Sequence, residues 1–243
     1  MKKVSIITTT YNDSANLRKT IQQVEAQDYE NIEYIIVDGA SKDDTLQVIA
    51  EAKERFGDRL VWISEKDPGI YDAINKGLRL ATGDFIGLCF DQFASPDVIS
   101  KMVSIMEKEG TDGVHGDLDY VDGEKIVRKW RQGQGNIRTG WMPGHPTLYL
   151  KKEVYETYGF YKTDYRISAD YEYMIRILKD GKVKLSYIPE VLIKMFHGGT
   201  STNGLGAYLE GLKEGHRALK ENGVKFAFVT DLLRILRVLR QFV

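Results

Sequence analysis

Gly83-Asp84-Phe85-Ile86-Gly87-Leu88-Cys89-Phe90-Asp91-Gln92 is the stretch on which the fold turns. Phe85 to Phe90 has the length and apolar continuity of a strand covered on both faces, the form strands take in a parallel sheet flanked by helices. The run stops at a carboxylate and an amide, Asp91 and Gln92. Three units of the same kind precede it. Val4 to Thr9 is short and β-branched, and a polar turn, Tyr11-Asn12-Asp13-Ser14, leads to a helix from about Ala15 to Gln27, capped by Asp13 or Ser14. Ile32 to Val37 ends at Asp38, and Gly39-Ala40-Ser41 turns into a helix beginning near Asp43. Leu60 to Ser64 is followed by Asp67-Pro68-Gly69 and a helix from Ile70 to Leu80. Four strand–helix alternations in about 100 residues predict an α/β fold with an open, mostly parallel central sheet and helices on both faces.

The regularity breaks after residue 110. His115 to Val121 and Ile126 to Trp130 are expected as strands, and the Gly-rich stretch Arg131 to Pro143 as a loop over a site. Lys151 to Tyr158 and Ala169 to Lys179 are expected helices. Val183 to Ile188 and Val191 to Phe196 are expected strands, and the tail from Leu205 is helical. The expected organisation is a catalytic domain over 1–204, divided into halves at 110/111, with a C-terminal helical segment over 205–243. There is no internal repeat and no low-complexity linker.

The 243 residues suffice for one sizeable domain with a small appendage. With 42% apolar and 28% charged residues the composition is that of a folded soluble protein. The net charge of −1 gives no pointer to nucleic acid. The single cysteine, Cys89, sits inside an apolar strand, so a disulfide framework is excluded and a reducing compartment is expected. The N-terminal apolar run is too short for a signal peptide, and no window reaches the roughly 20 apolar residues of a membrane span. The expected location is the cytoplasm, at the inner face of the membrane if the tail docks there.

Asp13, Asp38 and Asp91 all fall at or just past the C-terminal ends of expected strands. In a parallel sheet they share the edge outside which ligands bind. Asp13 serves equally well as a helix cap. Asp38 has less need of that explanation, because Ser41 or Asp43 could cap the following helix.

Three segments resemble family 2 glycosyltransferases: Val4-Ser5-Ile6-Ile7-Thr8-Thr9-Thr10-Tyr11-Asn12, Ile36-Val37-Asp38-Gly39-Ala40-Ser41-Lys42-Asp43-Asp44-Thr45, and Asp67-Pro68-Gly69-Ile70-Tyr71-Asp72-Ala73-Ile74-Asn75-Lys76-Gly77. Ala81-Thr82-Gly83-Asp84 and the strand ending at Asp91 follow in order. The resemblance covers roughly residues 3 to 200 and is nearest to bacterial enzymes building capsule, O-antigen or exopolysaccharide units. It implies a GT-A fold and inverting transfer of a sugar from a nucleoside diphosphate donor, a UDP-sugar being favoured, to a glycan or lipid-linked acceptor. By the same resemblance Tyr11, with Thr9 and Phe90 on the same edge, lies against the base. Asp38 binds the uracil or ribose side, and Asp72, Asn75 and Lys76 occupy the nucleotide-proximal helix.

Asp91 then holds the divalent metal, Mg2+ or Mn2+, that bridges the diphosphate. A hard cation on carboxylate oxygen can stabilise the charge that develops on the leaving group. Gln92 departs from the usual second acid. Its amide oxygen can ligate a hard metal but brings no charge, so Asp91 and the diphosphate could carry the metal alone, a ligand such as His197 could supplement it, or metal dependence could be weak. The same departure motivates the alternative of a nucleotide-sugar or carbohydrate-binding module without turnover.

An inverting transferase also needs a base for the acceptor hydroxyl. Tyr165-Arg166-Ile167-Ser168-Ala169-Asp170-Tyr171-Glu172-Tyr173 resembles the acceptor-side motif, with Asp170 at the position of the base and Glu172 as the nearby alternative. A spacing of two puts them on different helix faces. His145, in Pro143-Gly144-His145-Pro146-Thr147, lies by resemblance near the junction of donor sugar and acceptor. Phe196-His197-Gly198-Gly199-Thr200-Ser201 resembles the segment that closes over the diphosphate. Among Trp130, Trp141, Tyr149 and Tyr161, Trp141 in the polar loop is the candidate to stack on a sugar. The tail from Phe226 to Val243 places Arg234, Arg237 and Arg240 along one side of an apolar helix. Such a helix could lie in an anionic membrane interface, or pack on the catalytic domain or on a second subunit.

Overall fold

The computed structural model describes residues 1–196, 205–239 and 241. In chain order the elements are β1 (Val4–Thr10), α1 (Ser14–Glu25), β2 (Ile32–Asp38), α2 (Thr45–Phe56), β3 (Leu60–Ser64), α3 (Ile70–Leu80), β4 (Phe85–Leu88), β5 (Gln92–Phe93), α4 (Val98–Glu109), β6 (Gly113–Asp122), β7 (Lys125–Trp130), β8 (Tyr149–Lys151), α5 (Lys152–Tyr158), α6 (Ala169–Leu178), β9 (Leu185–Phe196), α7 (Leu205–Glu221) and α8 (Ala227–Leu239). The strands join in the order β3-β2-β1-β4-β8-β6-β9-β5, with β7 paired to β6. β1 through β4 are mutually parallel, as the strand–helix alternation requires. The second half mixes the long parallel ladder of β6 with β9 and short antiparallel ladders through β8, β7 and β5.

Alternation along the strands builds two cores. Val4 and Ile6 of β1 and Ile32, Tyr34 and Ile36 of β2 meet α1, α2 and α4 on one face. Ile7, Ile35 and Val37 meet α3, α5, α6 and α7 on the other. Both faces being covered, β1 and β2 are mainly apolar and buried on both sides, with Ser5 and Glu33 as buried polar members. α3 lies close on β1 because residue 77 is glycine: a Cβ there would stand 2.5 Å from Ile7 Cγ2. That approach fixes the C-terminal half of α3 against β1 and β2.

Several expectations are corrected. The strand from Phe85 leaves its ladder after Leu88, and Gln92–Phe93 starts a separate strand paired antiparallel with β9. Asp91 therefore sits at the handover between two strands. The two strands expected over 183–196 are one, β9, whose register against β6 jumps from Ile188 to Val191. The jump leaves Pro189 outside the ladder, where its missing N–H costs nothing. The loop 131–143 does not cover the cleft. It runs beneath α8, where Thr230 Oγ1 donates to Arg138 O at 3.1 Å and Arg237 Nε to Thr139 O at 2.9 Å.

α8 is also turned opposite to a helix that offers its arginines to a surface. Arg234 lies 4.4 Å over the Tyr171 ring, and Arg237 binds the loop. Phe226, Phe228, Leu232 and Leu236 face outward, Phe226 with 81% of its surface exposed. Arg240 lies outside the described residues. Among the described residues no helix is long and apolar enough to cross a membrane.

Candidate active site

Two adjoining cavities open at the C-terminal ends of β1, β2 and β4. One, of about 890 Å3, is walled by Thr9, Tyr11, Gly39, Lys42, Asp67 and Phe90. The other, of about 930 Å3, is walled by Tyr71, Asp91, Gln92, His145, Arg166 and Asp170. Asp13, Asn16, Thr20, Ile70 and Phe90 belong to both, so the two form one cleft. A more open hollow of about 670 Å3 around Lys2, Asp84 and Lys151, at the opposite ends of the strands, contains none of the expected site residues.

The first cavity is shaped by two turns strapped together. Asn12, at φ +49°, accepts from Lys42 N at 2.7 Å, and its own N–H donates to Ser41 Oγ at 2.8 Å. A Cβ on Gly39 would stand 3.2 Å from the Tyr11 ring, so the aromatic face rests on bare backbone and stays 63% exposed. Asp38 departs from the expectation of a carboxylate reaching a ligand. It is fully buried, and its oxygens accept from Ser41 N at 3.0 Å, from the Ser41 hydroxyl and from Ser64 Oγ at 2.6 Å.

The expected residues of the nucleotide-proximal helix stand off the cleft wall. Asn75 is buried and exchanges two hydrogen bonds with the Tyr161 backbone, donating from Nδ2 at 2.8 Å and accepting at Oδ1 at 3.0 Å. It joins α3 to the segment before α6 and lines neither cavity. Lys76 Nζ is engaged by Asp67 at 2.5 Å, Glu65 at 2.8 Å and Asp72 at 3.4 Å; burial would lower the ammonium's pKa, but Asp67 and Glu65 hold it above its ordinary value. Neither Asp72 nor Lys76 lines the cleft; Asp67 does. Burial raises the Asp67 carboxyl, and the Lys76 bond opposes the shift. The turn Asp67-Pro68-Gly69 hid this residue, although it opens the third family-like segment.

Asp91 is half-buried with a single hydrogen bond, from Phe196 N at 3.3 Å, and no cation beside it among the described residues. Burial pushes its carboxyl up to about 6. A desolvated carboxylate without a countercharge is chemically suited to a hard cation. Gln92 lines the same wall and adds a neutral oxygen donor. Among the described residues no group of three or more His, Cys, Asp or Glu could hold a metal. The Asp91 carboxylate and the Gln92 amide oxygen are hard donors that fit a divalent ion. His197 lies outside the described residues.

On the far wall, Asp170 opens α6. Tyr71 Oη stands 3.2 Å from Asp170 Oδ1 and donates to Ile167 O at 2.6 Å. His145 Nε2 lies 2.9 Å from Tyr161 Oη, and burial holds the imidazole below its ordinary pKa, favouring the neutral ring. Glu172, the alternative base, is excluded: fully buried, it pairs with Arg176 at 2.7 Å and Lys162 at 3.1 Å and accepts from Asn222. Trp141 is no stacking platform either. Its ring is buried against His115, and Nε1 donates to Gln132 O at 3.0 Å. Tyr149 and Tyr161 are buried as well, and Trp130 packs against the core. Sequence reading passed over Asn16, Thr20, Arg166 and Tyr71, which wall the cleft.

A helix-flanked sheet with an acid-bearing cleft at its strand ends is the architecture of the GT-A glycosyltransferases. The glycosyl transferase family 2 model matches residues 5–168, and the chain belongs to that family. An uncharacterized glycosyltransferase of Mycobacterium tuberculosis is 32% identical over 187 residues, covering 71% of this chain and 68% of the relative. A PGL/p-HBAD biosynthesis glycosyltransferase of Mycobacterium bovis is 27% identical over 208 residues, covering 82% and 78%. Among solved structures, a Pyrobaculum calidifontis mannosyltransferase in complex with GDP-Man and Mn2+ superimposes with a TM-score of 0.70 at 18% identity, over 97% of this chain and 71% of that one. S. aureus TarS 1-349 in complex with UDP-GlcNAc gives 0.71 at 14% identity, over 99% and 72%. At such identities the structural likeness speaks to the fold alone.

Proposed function

We propose that the chain transfers one hexose or N-acetylhexosamine unit, with inversion, from a nucleoside diphosphate sugar to a glycan or lipid-linked acceptor in bacterial surface polysaccharide or glycolipid synthesis. The observation that carries this reading is one cleft with Tyr11 and Phe90 on one wall, Asp91 and Gln92 on its floor, and Asp170 opposite. The base stacks on Tyr11, and Asp38 acts by holding the 39–42 turn. A UDP-sugar is the favoured donor.

Asp170 takes the proton of the acceptor hydroxyl. The freed oxygen forms its bond to the anomeric carbon as the bond from that carbon to the diphosphate oxygen breaks, and the electron pair leaves with the nucleoside diphosphate. Asp91 and Gln92 would hold Mg2+ or Mn2+, which when bound neutralises charge on the leaving diphosphate. Neutral His145 donates a hydrogen bond at the sugar–diphosphate junction. The domain division at 204/205, a cytoplasmic location and a homo-oligomer belong to the same proposal. The outward stripe of Phe228, Leu232 and Leu236 supports a peripheral membrane contact, by its apolar area rather than by arginines.

The test measures thermal stabilisation and nucleoside diphosphate release across UDP-GlcNAc, UDP-glucose, GDP-mannose and dTDP-rhamnose, with and without Mn2+. Ligand bound to the native state raises the midpoint by mass action, so the preferred base stands out. Asp170→Asn should lower turnover by about 100-fold or more with donor stabilisation intact. Retained turnover in a folded Asp170→Asn protein refutes the base assignment. Gln92 favours a second reading, a binding module, and stabilisation without turnover for every donor would select it.

A further inference from the structure

Glu214 is an acid for which the reaction above has no use, yet it is built into the acceptor wall from far along the chain. It sits on α7 with 7% of its surface exposed. Its carboxylate accepts three consecutive backbone N–H groups: Arg166 at 2.6 Å and Ile167 at 2.9 Å and Ser168 at 2.8 Å. These three residues lead directly into α6 and Asp170. The Ser168 hydroxyl makes no cap bond to α6 and instead donates to Gly211 O at 3.3 Å, again on α7.

Ile167 is gripped on both sides of its backbone. Its N–H goes to Glu214, and its carbonyl receives the Tyr71 hydroxyl that also stands beside Asp170. Arg166 and Ile167 themselves wall the larger cavity. A carboxylate taking several amide N–H bonds makes charge-assisted contacts of the stronger kind. It also meets the positive end of the α6 dipole. Removing it would leave three amides at a cleft wall without their partner, and a loop free to shift by a fraction of an ångström.

We propose that Glu214 is a positioning residue for sugar transfer: its carboxylate fixes the Arg166–Ser168 backbone and thereby the place of Asp170 and the Tyr71 hydroxyl against the acceptor. The proposal rests on the reading of Asp170 as the acceptor base. It assigns the C-terminal helix pair a part in the reaction, because α8 is tied to α7 by His216 Nδ1 and Asp231 Oδ2, 2.7 Å apart.

The test uses the full chain with Glu214→Gln and Glu214→Asp. The first keeps the shape and removes the charge. The second keeps the charge, withdraws the oxygens by one methylene, and serves if the amide fails to fold. Hydrogen exchange should quicken at least about 10-fold at amides 166–168 and stay unchanged in β1 and β2. Nucleoside diphosphate release, from whichever of UDP-GlcNAc, UDP-glucose, GDP-mannose and dTDP-rhamnose the unmodified chain uses, should fall about 10-fold or more in kcat, a part of the roughly 100-fold that a 1 Å misplacement costs. Donor KM and donor-induced stabilisation should stay within about 2-fold, since neither Tyr11 nor Asp91 is touched. In an Asp170→Asn background, Glu214→Gln should produce no further loss.

A purely structural role would lower the melting midpoint with kcat unchanged in the folded fraction, and would overturn the proposal. So would unchanged exchange at 166–168, or a loss shared equally by donor binding. If Asp170→Asn abolishes turnover while both Glu214 variants keep it, this inference fails and the base assignment stands. If the unmodified chain turns over none of the four donors, the transferase reading fails and carries this inference with it.

Discussion

Gly77→Ala isolates the contact that sets α3 over the sheet. In isolation the change stabilises a helix interior by about 1 kcal/mol. Here the new methyl would stand 2.5 Å from Ile7 Cγ2 and 3.4 Å from Val37 Cγ2, both in the buried core. Carbon pairs rest at about 3.5–4.0 Å, so the helix or the strand must yield by about 1 Å. Cγ2 of a β-branched residue cannot swing aside as the end of a long side chain would. Overpacking of this kind costs about 1–3 kcal/mol, and a full ångström at a helix–strand contact belongs at the upper end. The net is a loss of about 1–2 kcal/mol, or roughly 2–8 °C in melting midpoint for a chain of this size. Ile70 and Tyr71 ride on the same helix at the cleft, so turnover should fall about 10- to 100-fold. Urea denaturation and thermal melting measure the first effect, nucleoside diphosphate release the second. The cost of Ile7→Ala should shrink by about 1 kcal/mol or more when Gly77→Ala is already present. A midpoint that rises with Gly77→Ala would show that helix propensity outweighs the contact, and would refute the close approach as the determinant of the α3 position.

Two further outcomes follow from buried carboxylates. Burial would raise the Glu33 carboxyl, but bonds from Lys3, Ser5 and Thr82 outweigh it and bring the group down to about 2. A depressed folded pKa stabilises above the unfolded value of about 4.5, and the gain is lost as pH falls toward 2. Glu33→Gln should therefore cost about 3 kcal/mol at neutral pH, with the gap to the unmodified chain closing between about pH 5 and pH 2 in urea titrations; a gap independent of pH would refute it. Asp91→Asn removes a desolvated charge that has no countercharge among the described residues, so the metal-free chain should melt higher at pH 7 by about 1–2 kcal/mol and show no gain at pH 4, because the folded group, at about 6, is already protonated there. The same variant should lose the extra stabilisation that Mn2+ gives to nucleoside diphosphate binding, read by thermal shift; a full metal effect in Asp91→Asn would move the cation elsewhere.

The parallel half of the sheet was legible because each strand carries its own signal: an apolar β-branched run, a turn residue and a helix within a few tens of residues. Asp91 falls at the ligand edge for the same reason, while Thr9, Tyr11 and Phe90 are assigned there by the family resemblance. The resemblance assigns Asn75, Lys76 and Asp72 to the nucleotide-proximal helix, which shares its segment with Ile70 and Tyr71 of the cleft wall. A helix, however, turns its successive side chains about 100° apart, so neighbours in sequence diverge in space. Asp67 was passed over because a turn explains Asp-Pro-Gly without any site. Trp141 looked available in a polar, Gly-rich loop, and only the covering of that loop by α8 buried it.

By itself the sequence determined the order of strands and helices in the first half, the edge at which carboxylates gather, and the family. The first two are local properties, set by periodicity and chain neighbourhood; the family shows in the ordered motifs. Tertiary structure decided which face of each helix is used. An amphipathic stripe such as that of α8 is the same whichever side meets the protein, and the side with Arg234 and Arg237 won because Tyr171 and the Thr139 carbonyl were there to receive them. It also decided the partners of buried polar groups. Glu214 stands 46 residues from Ser168 along the chain, and no local pattern marks it. Its role follows only from the three amides that folding brings to one carboxylate.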